Sequence, residues 1–144
     1  MKIIVINGPN LNMTGIREQS VYGTCTLADI NKKIADKCEK DGIECDFFQS
    51  NCEGALIDRI HSCHKNYDGA ILNAGAYTHY SYAIHDAIHS VDTPFIEVHM
   101  SNVHAREEFR HKSVISPVCK GVIAGFGHNS YLLAVEALKG IIEK

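Results

Sequence analysis

A glutamate and a histidine two positions apart form the pair in this sequence with the clearest chemical potential. Glu97 and His99 belong to the short apolar run Phe95–His99, which predicts a β-strand. Side chains two apart on a strand point to the same face of the sheet. A carboxylate beside an imidazole fixes the tautomer of the ring and favours its protonated form. The pair therefore predicts a general acid at His99. A purely structural hydrogen-bonded pair at a strand end remains open.

A second candidate group lies in the glycine-bounded segment between Gly15 and Gly23, which contains Arg17 and Tyr22. A free tyrosine has a pKa of about 10 and is therefore a poor base near neutral pH. A guanidinium close to the phenol stabilises the phenolate and lowers that pKa. Arg17 and Tyr22 could thus supply a base. The alternative from the residues alone is an ordinary solvated loop.

Two arginines four positions apart, Arg106 and Arg110, could share a helical face and bind a carboxylate or hydroxyl groups. The alternative is that they form salt bridges with Glu107 or Glu108.

The sequence offers little for a metal or a cofactor. His85 and His89 have a spacing that can bind a metal, but no third ligand is evident nearby. The turn Gly125-Phe126-Gly127 lacks the rest of a dinucleotide fingerprint, and there is no Walker A motif or nucleophile elbow. We expect neither a metal nor a cofactor.

Short β-rich runs alternate along the chain with amphipathic runs of helical length. The predicted strands are Lys2–Asn7, Glu44–Gln49, Gly69–Asn73, Phe95–His99 and Gly121–Ala124. The predicted helices are Leu27–Asp41 with a Thr26/Asp29 capping box, one from a Ser50/Glu53 capping box to about Lys65, one from about Tyr80 to Ser90, and one capped by Asn129. This alternation predicts a single α/β domain over residues 1–144. It is a flavodoxin-like, doubly wound parallel sheet of order 2-1-3-4-5, with helices on both faces.

Polar residues are concentrated where the first, third and fourth predicted strands end. Ligands of open α/β sheets bind beyond the carboxyl ends of the strands. Two long segments without regular structure, 8–23 and 100–120, follow the first and fourth strands, and loops of that length are commonly functional. We therefore expect a cleft on this edge. The polar residues at or after the ends of these three strands are Asn10, Asn12, Arg17, Glu18, Tyr22, Asn73, Tyr77, Thr78, His79, Glu97, His99, Ser101, Asn102, His104, Arg106 and Arg110.

The composition is that of an ordinary globular protein. Of 144 residues, 45% are hydrophobic and 22% are charged, and the formal net charge is -3. No basic block and no apolar run of about 20 residues is present, so neither nucleic acid nor a membrane is an expected partner. The first residues are too short an apolar run for a signal peptide. The six cysteines form no Cys-x-x-Cys pair, which favours reduced thiols in a cytoplasmic protein.

Several blocks of the chain, in register over nearly its whole length, resemble the type II 3-dehydroquinate dehydratases. The resemblance is carried by Ile6-Asn7-Gly8-Pro9-Asn10-Leu11-Asn12, Gly15, Arg17-Glu18, Tyr22-Gly23, Ile71-Leu72-Asn73-Ala74-Gly75, Thr78-His79, the run from Ile96 to Arg110, Ser116-Pro117 and the run from Gly121 to Gly127. Because several independent blocks agree, this signal is far more specific than any single motif.

The resemblance implies dehydration of 3-dehydroquinate to 3-dehydroshikimate by anti elimination through an enolate, without a cofactor. It implies that Tyr22 is the base, kept ionised by Arg17, and that Asn10 stabilises the enolate through a water. His99, oriented by Glu97, is implied to protonate the departing hydroxyl. The implied substrate-binding residues are Asn73, Met100 and Ser101 for the carboxylate, His79 and Arg110 for the hydroxyls, Arg106 for loop organisation, and Asp86 acting in a neighbouring subunit.

The resemblance also implies an assembly, a homododecamer built from four trimers. Three departures from the family pattern concern the loop and the affinity: Met13-Thr14 replace leucine-like residues, Met100 replaces isoleucine or leucine, and Ala76 replaces glycine. The competing hypotheses are a non-catalytic flavodoxin-like binding or signalling module, and a catalytically inactive homologue. The module would need a flavin or a phosphoacceptor aspartate after the first or third strand. The inactive homologue would have lost Tyr22, Arg17 or His99.

Overall fold

Five parallel strands form one sheet in a computed structural model that describes the whole chain apart from the side chain of Tyr22. The strand order is β2-β1-β3-β4-β5, as the sequence predicted. In the centre of the sheet Val5 pairs with Phe47 on one side and Ile71 on the other. All five strands have their predicted bounds: β1 Lys2–Asn7, β2 Glu44–Gln49, β3 Gly69–Asn73, β4 Phe95–His99 and β5 Gly121–Ala124.

Helices cover both faces of this sheet. The α-helices are α1 Gln19–Tyr22, α2 Leu27–Lys40, α3 Glu53–Ser62, α4 Tyr82–His89 and α5 Asn129–Ile142. Five short 3-10 helices lie in the connections, at Leu11–Met13, Gly75–His79, Val103–Ala105, Glu108–His111 and Ser116–Val118. Among the residues that the structure describes, no helix combines the length and the apolar character needed to cross a membrane.

The alternation of side chains along β1 divides the core into two layers. Ile3 and Val5 belong to the cluster that contains the apolar faces of α2 and α5. Ile4 and Ile6 belong to the cluster that contains those of α3 and α4. All four are at most 1% exposed, because a parallel strand covered by helices on both faces buries every side chain. This explains the unbroken apolar runs that predicted the strands.

One predicted helix cap is confirmed and two are wrong. The Thr26 hydroxyl accepts from the Asp29 N–H, and the Asp29 carboxylate accepts from the Thr26 N–H, which completes the capping box of α2. Ser50 and Glu53 form no such box, because the Ser50 hydroxyl accepts from the Cys52 N–H at 3.0 Å and Glu53 accepts from the Ser81 hydroxyl at 2.6 Å.

The predicted cap of α5 is also wrong. Asn129 is the first helical residue and His128 holds the cap position. The neighbouring Ser130 hydroxyl accepts from the Phe126 N–H at 3.1 Å and so anchors the turn that precedes the helix.

Some predicted ends were misplaced by a few residues. α3 ends at Ser62 rather than about Lys65, because Lys65 adopts a φ of 61°, which is incompatible with a right-handed helix. α4 begins at Tyr82 because the Ser81 hydroxyl caps it by accepting from the Ile84 N–H. All six cysteines are free thiols.

The connections that follow β1 and β3 lie in direct contact. A Cβ atom on Gly8 would come within 2.6 Å of the Ala74 carbonyl oxygen, so only glycine fits at that position. Gly75 adopts a φ of 60° close to Pro9. Strand order reverses between β1 and β3, and this close packing brings their carboxyl ends together where open α/β sheets bind ligands.

Candidate active site

A cavity opens at the carboxyl ends of β1, β3 and β4, where the sequence predicted a cleft. The polar or charged side chains that line it come from the connections after these three strands. They are accompanied by apolar and glycine residues of the same connections. The lining residues are Pro9, Asn10, Leu11, Arg17, Asn73, Gly75, Ala76, His79, His99, Met100, Ser101, Val103, Arg106 and Arg110.

His99 and Glu97 form a buried hydrogen-bonded pair on β4. Their side chains share one face of the strand, as the two-residue spacing predicted, and His99 Nε2 lies 2.6 Å from Glu97 Oε2. Glu97 is 1% exposed and His99 is 7% exposed. A carboxylate accepts hydrogen bonds, so Nε2 carries a proton and Nδ1 remains for proton exchange. His99 lines the cavity and Glu97 lies behind it.

The second carboxylate oxygen of Glu97 is held by two serines. Oε1 accepts from the Ser113 hydroxyl at 2.9 Å and from the Ser116 hydroxyl at 2.5 Å. Burial alone would raise the pKa of Glu97, but the hydrogen bonds from His99, Ser116 and Ser113 hold that pKa below its usual value. The buried carboxylate is therefore ionised at neutral pH, which is the state that orients an imidazole and stabilises an imidazolium.

Asn10 enters the cavity from a left-handed turn directly after β1. Its φ is 69°, a conformation that asparagine tolerates better than most residues. The Asn10 N–H donates to Asn51 Oδ1 at 3.0 Å, and the same oxygen accepts from Gln49 Nε2 at 3.2 Å. These bonds fix the backbone of Asn10 at the rim of the cavity.

The backbone after β4 presents two amide groups. The carbonyl of His99 accepts from the Gly125 N–H at 3.2 Å, and the carbonyl of Met100 accepts from the Gly127 N–H at 2.9 Å. In a trans peptide the C=O and the N–H point in opposite directions. The N–H groups of Met100 and Ser101 therefore point away from the glycine turn. Two adjacent amides of this kind suit an anion such as a carboxylate.

Three guanidinium groups give the cavity a positive character, and acidic residues fix their positions. Arg17 is paired with Glu18, and Arg106 Nη2 lies 3.9 Å from Glu18 Oε1. Arg110 Nε donates to Glu107 Oε2 at 3.2 Å. Arg106 follows the 3-10 turn Val103–Ala105 in an extended conformation, and Arg110 belongs to the next turn, Glu108–His111. They therefore share no helical face, but both line the cavity.

His79 is the second imidazole of the cavity. Its Nδ1 lies 2.7 Å from the carbonyl oxygen of Lys112, and its ring stacks beside that of His99 with centroids 6.2 Å apart. Burial is the largest cause that lowers the pKa of His79. The hydrogen bond to the Lys112 carbonyl raises this pKa, and the neighbouring His99 and Arg110 lower it further. His79 is thus neutral at pH 7 and can exchange hydrogen bonds with a hydroxyl group through Nε2.

The structure brings most of the predicted site residues together. The cavity is lined by Asn10, Arg17, Asn73, His79, His99, Met100, Ser101, Arg106 and Arg110. Glu97 does not line this cavity but is hydrogen-bonded to His99, which does. Asp86 lies elsewhere, on α4, with its side chain 82% exposed and paired with His85. The side chain of Tyr22 lies outside the described part of the chain, so its predicted role stays a prediction.

Four contributors to the site were not predicted from the residues. Ser113 and Ser116 hold Glu97, while Gly125 and Gly127 orient the Met100 and Ser101 amides. The glycine turn was visible in the sequence, but only as an incomplete nucleotide motif. Nothing in the spacing connects the serines to a glutamate 16 and 19 residues earlier. In the described part of the chain, no group of three or more His, Cys, Asp or Glu side chains could hold a metal.

Comparison with known proteins agrees with this geometry. Residues 1–139 match the family described as "Dehydroquinase class II". The chain is 58% identical over 143 residues to the 3-dehydroquinate dehydratase of Caldicellulosiruptor bescii, covering 99% of each chain. It is 56% identical over 140 residues to that of Clostridium beijerinckii, covering 96% of each.

Solved structures give the same result. The crystal structure of the type II dehydroquinase from Butyrivibrio crossotus matches with a TM-score of 0.95 and 52% identity, over 96% of this chain and 97% of that one. A 3-dehydroquinate dehydratase-like protein from Bifidobacterium longum matches with a TM-score of 0.75 and 29% identity, over 100% of this chain and 99% of that one. Since both the sequence and the fold match over nearly the full chain, this protein belongs to the class II dehydroquinase family.

Proposed function

We propose that this chain removes water from 3-dehydroquinate to give 3-dehydroshikimate, a lyase reaction of the shikimate pathway that supplies chorismate and the aromatic amino acids. The family membership and the names of its relatives support this activity. Residues 1–144 then act as one catalytic domain. The reaction changes no oxidation state overall, and it therefore needs no redox cofactor.

The proposed mechanism is an anti elimination through an enolate. The Tyr22 phenolate, stabilised by Arg17, takes the C2 proton next to the ketone, and the electron pair moves to the ketone oxygen. A water held by Asn10 donates to the enolate oxygen. As the enolate collapses to a C1–C2 double bond, the C1–O bond breaks and His99 protonates the leaving hydroxyl, so that water departs. Tyr22 has then gained one proton and His99 has lost one, and proton exchange with solvent restores both.

The observation that supports this mechanism most is the buried His99–Glu97 pair at the wall of a cavity that Arg17 and Asn10 also line. An acid poised by an ionised carboxylate is what the departure of hydroxide requires. Its Nε2 is engaged by Glu97, so Nδ1 delivers the proton. Arg17 lies in the loop that carries the proposed base.

The remaining residues bind the substrate in this proposal. Asn73 and the amides of Met100 and Ser101 hold its carboxylate, which fits the orientation of those two amides. His79 and Arg110 bind ring hydroxyls, and the neutral state of His79 suits that role. Arg106 organises the Arg17–Tyr22 loop, in keeping with its approach to Glu18.

The assembly and the location of the protein belong to the same proposal. We infer a homododecamer of four trimers in which Asp86 reaches the cavity of a neighbouring subunit, and a cytoplasmic location. The exposed position of Asp86 on α4, away from its own cavity, supports a role toward a neighbour.

A non-catalytic flavodoxin-like binding or signalling module is the competing function. A receiver module needs a phosphoacceptor aspartate after β1 or β3, whereas Asn10 and Asn73 occupy those places. The catalytic proposal therefore accounts for more of the site.

A direct assay tests the activity. The purified chain is mixed with 3-dehydroquinate in the presence of a metal chelator, and the absorbance of the conjugated enone product is followed. We expect turnover with wild type, and its near abolition in Tyr22→Phe with the far-UV circular dichroism unchanged. Wild type that forms no enone would contradict the proposed reaction. Full activity in Tyr22→Phe would contradict only the choice of base.

A further inference from the structure

A buried chain of three polar side chains lies directly beneath the substrate cavity. The Tyr131 hydroxyl lies 2.6 Å from Asn7 Oδ1 and 2.9 Å from Asn73 Nδ2. Asn7 and Tyr131 are at most 1% exposed, and Asn73 is 4% exposed. Of the three, Asn73 lines the cavity, while Tyr131 comes from α5, which packs against the face of the sheet that carries Val5 and Ile71.

The donors and acceptors of these three side chains allow one hydrogen-bonding arrangement. The Tyr131 hydroxyl has a single hydrogen, and it donates this hydrogen to Asn7 Oδ1. The hydroxyl oxygen accepts from Asn73 Nδ2 at 2.9 Å. At the other end of the Asn73 amide, Oδ1 accepts from the Gly75 N–H at 3.2 Å. These two bonds identify which end of the Asn73 amide is nitrogen and which is oxygen. Nδ2 carries two hydrogens, so a second N–H is left besides the one that bonds to Tyr131.

Packing alone does not require this hydroxyl. The ring of Tyr131 is part of the apolar cluster formed by α2, α5 and the sheet, where a phenylalanine would fill the same volume. A buried hydroxyl is unfavourable unless it is hydrogen-bonded, so an apolar ring would be the simpler solution for the core. What the hydroxyl adds is a fixed direction for the two amides beside it.

We propose that Tyr131 is a positioning residue that holds the Asn73 amide with an N–H toward the cavity, so that the site prefers a carboxylate over a neutral group. Tyr131 does not line the cavity and acts on the substrate through Asn73. This inference rests on the proposed function for the identity of the anion, the substrate carboxylate. Without the hydroxyl the Asn73 amide keeps only its bond from the Gly75 N–H, and the direction of Nδ2 toward the cavity is less well fixed. A charged carboxylate gains more from a well-directed N–H than a neutral carboxamide does.

The test compares two ligands in two variants. Wild type and Tyr131→Phe are titrated with 3-dehydroshikimate and with its carboxamide, and the dissociation constants are measured by calorimetry. We expect Tyr131→Phe to lose about tenfold in affinity for the carboxylate, the effect of one hydrogen bond, and to bind the carboxamide about as well as wild type. In turnover, KM for 3-dehydroquinate should rise more than kcat falls.

Two further variants make the result decisive. Tyr67→Phe removes another hydroxyl, which donates to Asp46 at 2.5 Å far from the cavity, and it should change neither affinity. Asn7→Ala removes the acceptor that orients the Tyr131 hydroxyl, so that its oxygen is no longer held toward Asn73 Nδ2, and should weaken carboxylate binding as Tyr131→Phe does. It also supplies the test if Tyr131→Phe fails to fold.

The outcomes separate this inference from the proposed function. Equal losses for carboxylate and carboxamide in both Tyr131→Phe and Asn7→Ala, or no loss in either, would overturn the positioning role. Wild type that binds both ligands but turns over no 3-dehydroquinate would refute the function, and the ratio of the two affinities would still decide the role of Tyr131.

Discussion

Ser116 and His99 contact opposite oxygens of one buried carboxylate: the Ser116 hydroxyl lies 2.5 Å from Glu97 Oε1, and His99 Nε2 lies 2.6 Å from Glu97 Oε2. The proposed acid is therefore tied through Glu97 to the connection between β4 and β5. Any change in the charge or hydrogen bonding of Glu97 should reach the chemistry through His99.

Replacing Glu97 by glutamine keeps the size of the side chain and removes its charge. We expect kcat to fall by about 10²- to 10⁴-fold, the usual contribution of general acid–base catalysis, because an amide neither stabilises the imidazolium nor fixes the tautomer of His99. KM should change much less, since Glu97 lies behind the cavity. Steady-state kinetics measures both constants.

The matched control is Glu53→Gln, which alters a glutamate that accepts from Ser81 at 2.6 Å away from the cavity. Its kcat should stay near that of wild type. A Glu97→Gln enzyme with unchanged kcat would show that His99 does not depend on this carboxylate.

Removing both serine hydroxyls should shift the pH dependence of the reaction. Burial raises the pKa of Glu97, and the bonds from His99, Ser116 and Ser113 lower it. In a Ser113→Ala/Ser116→Ala double variant the pKa therefore rises, and the acidic limb of kcat/KM moves to higher pH, by about one unit. Rates measured from pH 4 to pH 9 give the position of that limb.

The hydroxyl-retaining Ser116→Thr variant serves as the comparison. It should keep the acidic limb close to its wild-type position, whereas Ser116→Ala moves it. An acidic limb at the same pH in the double variant and in wild type would mean that the serines do not control the ionisation of Glu97.

His79 should make the stability of the protein depend on pH between neutral and mildly acidic conditions. Its pKa is lowered in the folded state, mainly by burial, from an ordinary value of 6.5. The unfolded chain thus binds a proton more readily than the folded chain. The contribution of the neutral ring to stability is present above pH 6.5 and is lost as the pH falls through the lower folded pKa.

Urea unfolding of wild type and of His79→Gln at pH 7.5, 6.5 and 5.5 tests this effect. The free energy of unfolding should fall more steeply toward pH 5.5 in wild type than in the variant. Parallel pH profiles for the two proteins would exclude His79 as the source.

The sequence predicted the strands and the Glu97–His99 pair of the site more fully than the hydrogen bonds that hold them in place. The bounds of all five strands were right because buried parallel strands are continuous apolar runs, and the Glu97–His99 pair followed from the two-residue period of a strand. The Ser50/Glu53 cap was wrong because Glu53 bonds to Ser81, 28 residues away, rather than to its own helix.

Interactions that depend on tertiary packing could not be predicted from the residues. The Tyr131 hydroxyl reaches Asn7 across 124 positions of sequence, and no local pattern marks that contact. The roles of Asn73 and of the Met100 and Ser101 amides came from the family resemblance. The peptide planes of the Met100 and Ser101 amides are fixed by the glycine turn, and this contact is visible only in the folded chain.

A mixing experiment tests whether Asp86 serves a neighbouring subunit. Asp86→Ala and Tyr22→Phe should each have low activity alone, Tyr22→Phe for want of its base and Asp86→Ala by about tenfold for want of a binding group. If each cavity combines Tyr22 of one subunit with Asp86 of another, co-refolding the two variants creates some cavities with both native residues, and activity should rise above the average of the two. Native mass spectrometry of the same samples reports the number of subunits.

The matched control is Asp36→Ala, which alters an exposed aspartate paired with Lys32 on α2 and should have near-wild-type activity alone. Activity in the mixture equal to the average of the two variants, with mixed assemblies present, would place Asp86 outside the site of any neighbour.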